Sequence, residues 1–308
     1  MTDRESAPSL GGVLPVFQTP YHEDERIDFD TLDREIDWLF QEGSDGIVLA
    51  MVSEVLRLSS QERNELATRA CAAARDRGTC VISVGAESTH VTIQHAQHAE
   101  SAGADAVMAI PPIAVALSEE ELAGYYSRLI QAIQIPVIVQ DASGYVGRPM
   151  SIEMQANLLK EFGPERVMYK PEAEPIGPRL TELHEATGGK AAVFEGTGGI
   201  ALIDSHKRGV AGTIPGADLI RALVPLWRAL EAGDAKRANA IHEPLAELVA
   251  LQKSLDAFLA IEKHLLVRQG IFHNEIVRGP VGYRLDDATR AEVDRVFDAL
   301  LNVVESGD

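Results

Sequence analysis

Eight short apolar runs recur along the chain at intervals of roughly 20 to 35 residues, separated by amphipathic stretches. The runs are Gly12–Thr19, Gly46–Ala50, Val81–Gly85, Ala106–Pro111, Val137–Ala142, Val167–Lys170, Ala192–Gly196 and Gly209–Ile214. They are rich in Val and Ile and bounded by Gly or Pro, as strands are. Most are continuously apolar, which marks strands buried on both faces. Between them, Leu32, Ile36, Leu39 and Phe40 share one helical face. Ser59-x-x-Glu62 and Ser118-x-x-Glu121 read as capping boxes that open helices. Glu42-Gly43-Ser44 and Ala102-Gly103-Ala104 read as helix ends turning back to strands. Eight regular β/α units predict an α/β fold, the (β/α)8 TIM barrel. A doubly wound sheet is the competing arrangement, and the number and regularity of the units favour closure.

The barrel is expected to occupy residues 1–232. Residues 233–308 read as a helical extension of the same unit, because no linker rich in Pro, Gly or Ser intervenes. Pro244 is expected to interrupt one long run, roughly Ala235–Arg268. A later helix carries Val293, Val296, Phe297, Leu300, Leu301 and Val304 on one face, behind an N-cap at Asp286 or Asp287.

Charge narrows the partners. Twenty-eight basic and 47 acidic residues give a net charge of −19. Such a surface repels nucleic acid and anionic membrane, so neither is an expected partner. No stretch is long enough to span a bilayer. The opening Met-Thr-Asp-Arg-Glu-Ser lacks the apolar core of a signal peptide, which predicts a cytoplasmic protein. Cys71 and Cys80 are too few for a disulfide framework and are expected to be structural thiols, Cys80 within a strand.

Barrel enzymes build their sites at the C-terminal ends of the strands. Those ends fall near Gln18-Thr19-Pro20, Ala50-Met51-Val52-Ser53-Glu54, Pro111-Pro112, Gln140-Asp141-Ala142-Ser143, Lys170, Glu195-Gly196-Thr197-Gly198-Gly199 and Gly212-Thr213. One lysine faces a ring of small and polar groups. The chain has seven lysines, and six of them (Lys160, Lys190, Lys207, Lys236, Lys253, Lys263) fall in polar helical stretches or a loop. Lys170 alone closes an apolar run. Burial disfavours a charged ammonium, and a neutral amine attacks carbonyl carbon to form a Schiff base. The alternative is a lysine that snorkels from a strand end to water. The Gly-rich turn after strand seven offers N–H groups to an anion, or simply makes a tight turn. Tyr169, by strand alternation, points away from the barrel interior. His90, His95 and His98, and His22 beside Glu23 and Asp24, are read as solvated surface rather than metal ligands. No metal is expected, and no cofactor beyond the lysine itself.

The sequence resembles the dihydrodipicolinate synthase/N-acetylneuraminate lyase family of class I Schiff-base lyases. The matching pieces are Gly12-Val-Leu-Pro-Val-Phe-Gln-Thr-Pro20, Glu42-Gly-Ser-Asp-Gly46, Ser53-Glu54 with Ser59-x-x-Glu62-Arg63, Ala102-Gly-Ala-Asp-Ala106, Pro111-Pro112 and Lys170. The resemblance implies that Lys170 forms an imine with a small 2-oxo acid and that the turn at Val52-Ser53 holds its carboxylate. It also implies a homotetramer. Departures from the synthase pattern matter. Ala50-Met51-Val52-Ser53-Glu54 stands for Gly-Thr-Thr-Gly-Glu, and Gln140-Asp141-Ala142-Ser143 for Tyr-Asn-x-Pro. Ile113 stands for a relay tyrosine and Tyr145 for a carboxylate-binding arginine. The pattern is similar instead to a branch of 2-keto-3-deoxy-L-arabinonate dehydratases, in which the C4 hydroxyl is eliminated from the imine. For that elimination the acid–base candidates are Glu195, Ser53, Asp141, a water, Gln140 as an orienting group, and Tyr145 swinging in from its loop. Glu195 is also readable as a carboxylate tied to neighbouring N–H groups, and Glu54 as the group that orients the strand-two loop. Gln140, Asp141, Gly196, Thr197 and Gly212 complete the expected substrate lining. A pyruvate-dependent aldolase and a 4-hydroxy-tetrahydrodipicolinate synthase are alternatives; a ligand-binding degenerate barrel and a metal-dependent lyase lie further off.

Overall fold

The computed structural model describes residues 10–143 and 148–306. Eight strands run parallel: β1 (Gly12–Val13), β2 (Gly46–Leu49), β3 (Thr79–Ser83), β4 (Ala106–Ala109), β5 (Val137–Asp141), β6 (Val167–Pro171), β7 (Ala192–Glu195) and β8 (Gly212–Thr213). Their order is β1-β8-β7-β6-β5-β4-β3-β2. The remaining seam is closed past the end of β1, where Val16 bridges both Val48 and Gly216. The Val48 N–H donates to Pro15 O at 2.9 Å and the Phe17 N–H to Val48 O at 3.1 Å. The expected first strand, Gly12–Thr19, is regular only over Gly12–Val13. Pro15 has no N–H to contribute to a ladder. The eighth is likewise trimmed to Gly212–Thr213, because Gly209 and Val210 donate back to the preceding helix.

Alternation along the strands sorts two cores. Leu14, Val16, Val48, Ala50, Val81, Ala106, Met108, Ile138, Phe194 and Ile214 fill the barrel interior, with Met168 packed against them. Ile47, Leu49, Cys80, Ile82, Val107, Val137, Val139, Val167, Tyr169 and Val193 face outward into the helical layer. That layer holds α1 (Phe29–Gln41), α2 (Ser60–Ala74), α3 (Thr89–Ala102), α4 (Glu119–Ala132), α5 (Ile152–Phe162), α6 (Ile176–Ala186), α7 (Leu202–Lys207) and α8 (Ile220–Glu231). Ser59 and Glu62 complete a reciprocal capping box at α2, and Ser118 caps α4 through the Glu121 N–H. Cys71 and Cys80 are both buried, with their sulfurs 3.7 Å apart.

Three further helices follow: α9 (Ala235–Val249), α10 (Leu255–Arg268) and α11 (Asp287–Ser306). Pro244 lies inside α9 and does not end it; the break falls at residues 250–254, where Ser254 caps α10. Asp286 is the cap of α11, accepting from the Thr289 N–H at 2.7 Å. Two polar readings are corrected by burial. Lys263 is fully buried in α10 rather than on a polar face. His95 is only 6% exposed, and its Nδ1 pairs with Asn64 Oδ1 across the α2–α3 contact. No group of three His, Cys, Asp or Glu side chains suited to a metal occurs among the described residues. No helix among them is long and apolar enough to cross a membrane.

Candidate active site

The inward face of the strands leads upward to a small cavity at the C-terminal mouth of the barrel. It is lined by Val16, Ala50, Met51, Val52, Gln140, Lys170, Glu172, Gly196, Gly198, Ile214, Pro215, Gly216 and Phe258. Every strand contribution follows from period-two alternation: Met168 points inward, so Lys170 and Glu172 do too. Ile138 places Gln140, Phe194 places Gly196, and Ile214 places Gly216. Phe258 comes from α10, so the C-terminal helices supply one wall.

Lys170 is buried, and its Nζ makes a very short contact with Glu172 Oε1. Glu172 is buried as well. Loss of solvent pushes its carboxyl above the usual glutamate value, against the pull of Lys170 and Gln140. Gln140 Nε2 donates to both Glu172 oxygens at 3.3 Å. Its Oε1 is buried without a protein partner. The amide is thus oriented by the carboxylate and keeps an acceptor for whatever fills the cavity. Gly196 makes room for this triad: a Cβ there would lie 3.0 Å from Lys170 Nζ and 3.0 Å from Glu172 Oε1.

Of the two residues expected to hold a carboxylate, Val52 lines the cavity and Ser53 does not. Met51–Ser53 form a single 3-10 turn after β2. The Ser53 N–H donates to Ala50 O at 3.0 Å, and its hydroxyl to Phe17 O at 2.5 Å. Ser53 does not line the cavity. Met51 and Val52 do, and they open the turn, where the first N–H groups have no acceptor within the helix.

Of the other expected residues, several face away from the cavity. The Glu195 carboxylate is taken up by the Thr197 N–H at 2.6 Å, the Thr197 hydroxyl and the Thr213 hydroxyl at 2.7 Å. It fastens the β7 turn to β8. Thr197 is occupied in that fastening and also accepts from the Ala201 N–H at 3.0 Å. The Asp141 carboxylate accepts from the Ser143 and Met150 N–H groups at 3.1 and 2.8 Å, closing the loop after β5. Gly212 packs against the backbone of Gly12 below the cavity. Tyr169 points into the helical layer and donates to Gln155 O at 2.6 Å. Tyr145 lies outside the described residues. Ile113 packs beside Met51, Ile110 and Ala142 as an apolar rim.

A second buried lysine stands behind the site. Lys263 Nζ donates to Thr19 O at 2.8 Å, Glu54 Oε1 at 2.5 Å and Ile276 O at 2.6 Å. All three of its protons are used, and it does not reach the cavity. Of the two buried lysines, Lys170 is the one open to a ligand.

Known proteins share this sequence pattern and fold. A curated L-2-keto-3-deoxyarabonate dehydratase from Azospirillum brasilense is 28% identical over 295 residues, covering 94% of each chain. A 4-hydroxy-tetrahydrodipicolinate synthase from Parabacteroides distasonis is 25% identical, covering 87% of this chain and 90% of its own. A solved dihydrodipicolinate synthase from Rhodopseudomonas palustris superposes with a TM-score of 0.84 at 25% identity, over 94% of this chain and 97% of that one. A Pseudomonas aeruginosa structure described as a dihydrodipicolinate synthetase shares the fold at a TM-score of 0.88 and 24% identity, over 95% and 100% of the two chains. Residues 9–300 match the sequence model of the dihydrodipicolinate synthetase family, and the chain belongs to that family of lyases.

Proposed function

We propose that Lys170 forms an imine with the carbonyl carbon of a 2-oxo acid, and that the reaction is dehydration of a 2-keto-3-deoxy sugar acid. The observation that carries the reading is the buried Lys170–Glu172–Gln140 triad on the cavity wall. Glu172 takes a proton from Lys170, and the neutral amine attacks C2. The protonated carboxyl then helps the C2 oxygen leave as water. The resulting iminium acidifies C3, and the Glu172 carboxylate removes the C3 proton. The electron pair left at C3 expels the C4 hydroxyl, which leaves as water with the proton that Glu172 holds. Hydrolysis of the imine frees Lys170, so the net change is loss of one water. Met51 and Val52 N–H groups receive the substrate carboxylate. Gln140 Oε1 accepts from a hydroxyl of the tail.

Two further points support a sugar acid over an aldehyde bearing a second carboxylate. The cavity lining offers no arginine among the described residues, and the dehydratase relative is 28% identical over 94% of the chain. The test is reductive trapping followed by product analysis. Pyruvate with borohydride adds mass to the Lys170 peptide, and Lys170→Ala abolishes the adduct. Labelling of a different lysine overturns the imine assignment. With 2-keto-3-deoxy acids the expected product is a dehydrated oxo acid. Release of pyruvate and an aldehyde overturns the dehydration and makes the enzyme an aldolase that uses the same lysine.

A further inference from the structure

The fully buried Lys263 has no part in the chemistry above, yet two of its three hydrogen bonds, to Thr19 O and Glu54 Oε1, lead to the Met51–Ser53 turn. The Met51–Ser53 turn is held to the end of strand one by two hydrogen bonds: Ser53 Oγ donates to Phe17 O at 2.5 Å, and Thr19 Oγ1 donates to Ser53 O at 2.6 Å. The next residue, Glu54, takes up a left-handed backbone at φ 61°, a conformation that L-residues other than Gly, Asn and Asp rarely adopt. Its carboxylate is bound at both oxygens. Oε1 accepts from Lys263 Nζ at 2.5 Å, and Oε2 accepts from the Arg278 N–H at 3.1 Å. The same ammonium binds Thr19 O, the other anchor of the turn, and Ile276 O in the segment after α10. The Tyr21 ring covers it at 4.5 Å.

We infer that Lys263 is a positioning residue for substrate binding: by drawing Glu54 and Thr19 together it sets the Met51 and Val52 N–H groups at the spacing a substrate carboxylate requires. The inference rests on the lysine-imine reading. A buried ion pair adds little net stability over well-packed apolar side chains. What it supplies here is a fixed distance between a strand end, a turn and a helix of the C-terminal extension. Thus the extension reaches the site twice, through Phe258 as a wall and through Lys263 as a brace.

The experiment compares two carbonyl probes on the full-length protein, with and without a carboxylate. Pyruvate and glycolaldehyde are each titrated with borohydride, and the adduct on the Lys170 peptide is quantified in the unaltered protein, Lys263→Met and Glu54→Gln. In both variants the half-saturating pyruvate concentration is expected to rise about tenfold or more, the scale of losing a charge-assisted hydrogen bond. Glycolaldehyde labelling of Lys170 is expected to stay within about twofold, since that probe has no carboxylate to seat. A parallel fall for both probes assigns Lys263 to general architecture and overturns the inference. So does an unchanged pyruvate titration in either variant. Glu54→Gln removes the charge that draws the ammonium while keeping the side chain's shape, and provides the reading if Lys263→Met does not fold. If the unaltered protein gives no pyruvate adduct at Lys170, the imine reading itself fails, and this inference falls with it.

Discussion

Glu172 stands two residues beyond Lys170, just past the end of β6, and its carboxylate meets the Lys170 ammonium inside the barrel mouth. Period-two alternation puts both side chains on the inner face. Burial raises the Glu172 carboxyl above its ordinary value of 4.5, and the lysine opposes that shift. In the proposed reaction the pair shares a movable proton beside C2 of the substrate.

Glu172→Gln should keep the hydrogen-bonding shape and remove the proton carrier. The expected loss is about 100- to 10,000-fold in kcat, the range of a general acid–base group. Slow trapping of pyruvate at Lys170 should persist. The pH profile gives a second check. Protonating the carboxylate leaves nothing to take the lysine proton, so kcat/KM rises with pH as Glu172 ionises. Because its folded value is raised, that limb lies above the ordinary glutamate value of 4.5. Glu172→Gln should lose the limb. A variant that keeps both the rate and the limb would assign the role to another group.

Gly196→Ala should disable the site without unfolding the barrel. The new methyl would lie 3.0 Å from both Lys170 Nζ and Glu172 Oε1, tighter than ordinary contact. Both groups line the cavity, so they can retreat only into the space a substrate would fill. Crowding of this kind costs about 1–3 kcal/mol. The expected fall in kcat/KM is about 10- to 100-fold, with a melting temperature within a few degrees of the parent. Full activity would mean that the triad is looser than the contacts indicate.

Most of the barrel was readable in the sequence because continuous Val/Ile runs between capped helices have few other uses. Lys170 was readable because it alone ends such a run. Glu172 was hidden by Pro171, which looks like the end of a strand but pairs with Asp141 as its last residue. Counting in twos past that proline reaches Glu172. The same count, applied to Tyr169, also sends Asp141 and Glu195 outward, where they fasten turns. Lys263 was not readable. Its neighbours Glu262 and His264 suggest a solvated face, and local charge carries no information about a helix enclosed on all sides. That Met51 rather than Ser53 joins Val52 at the cavity depends on where the 3-10 turn after β2 begins, which composition does not specify.

Gln140→Ala separates recognition of the tail from imine formation. Its Nε2 is committed to Glu172, and its Oε1 has no protein partner. Pyruvate carries no hydroxyl for that oxygen, whereas a deoxy sugar acid does. The variant should lose about tenfold or more in kcat/KM for the sugar acid, the scale of one hydrogen bond to a buried group. Half-saturation by pyruvate in trapping should change by less than about threefold. Equal losses would place Gln140 in the general support of Glu172.

The last prediction concerns stability and pH. Behind the cavity, Glu35, Asp218 and Glu262 are buried together, with Gln18 linking two of them: its N–H donates to Glu35 Oε1 at 2.8 Å, and its side-chain amide donates to Glu262 Oε2. Lys263 is the one buried ammonium near them, and it is already paired with Glu54. Burial raises Glu35 well above the usual glutamate value, with Lys263 and the Gln18 N–H opposing. Burial pushes Asp218 up to about 7, and Glu262 rises through burial and the neighbouring Asp218 charge. Each carboxyl keeps its proton in the folded chain at pH values where the unfolded chain has released it. The folded state therefore binds more protons, and stability falls as pH rises from the ordinary carboxylate range toward neutrality. Urea midpoints measured from about pH 5 to about pH 8 should decline. Glu35→Gln tests a single site: Oε1 keeps the Gln18 N–H, and Oε2, which has no partner, becomes an amide that needs no proton. Its slope should be shallower by up to about 1.4 kcal/mol per pH unit, the contribution of one proton. An identical slope in parent and variant would show that Glu35 ionises in the folded protein at its ordinary value.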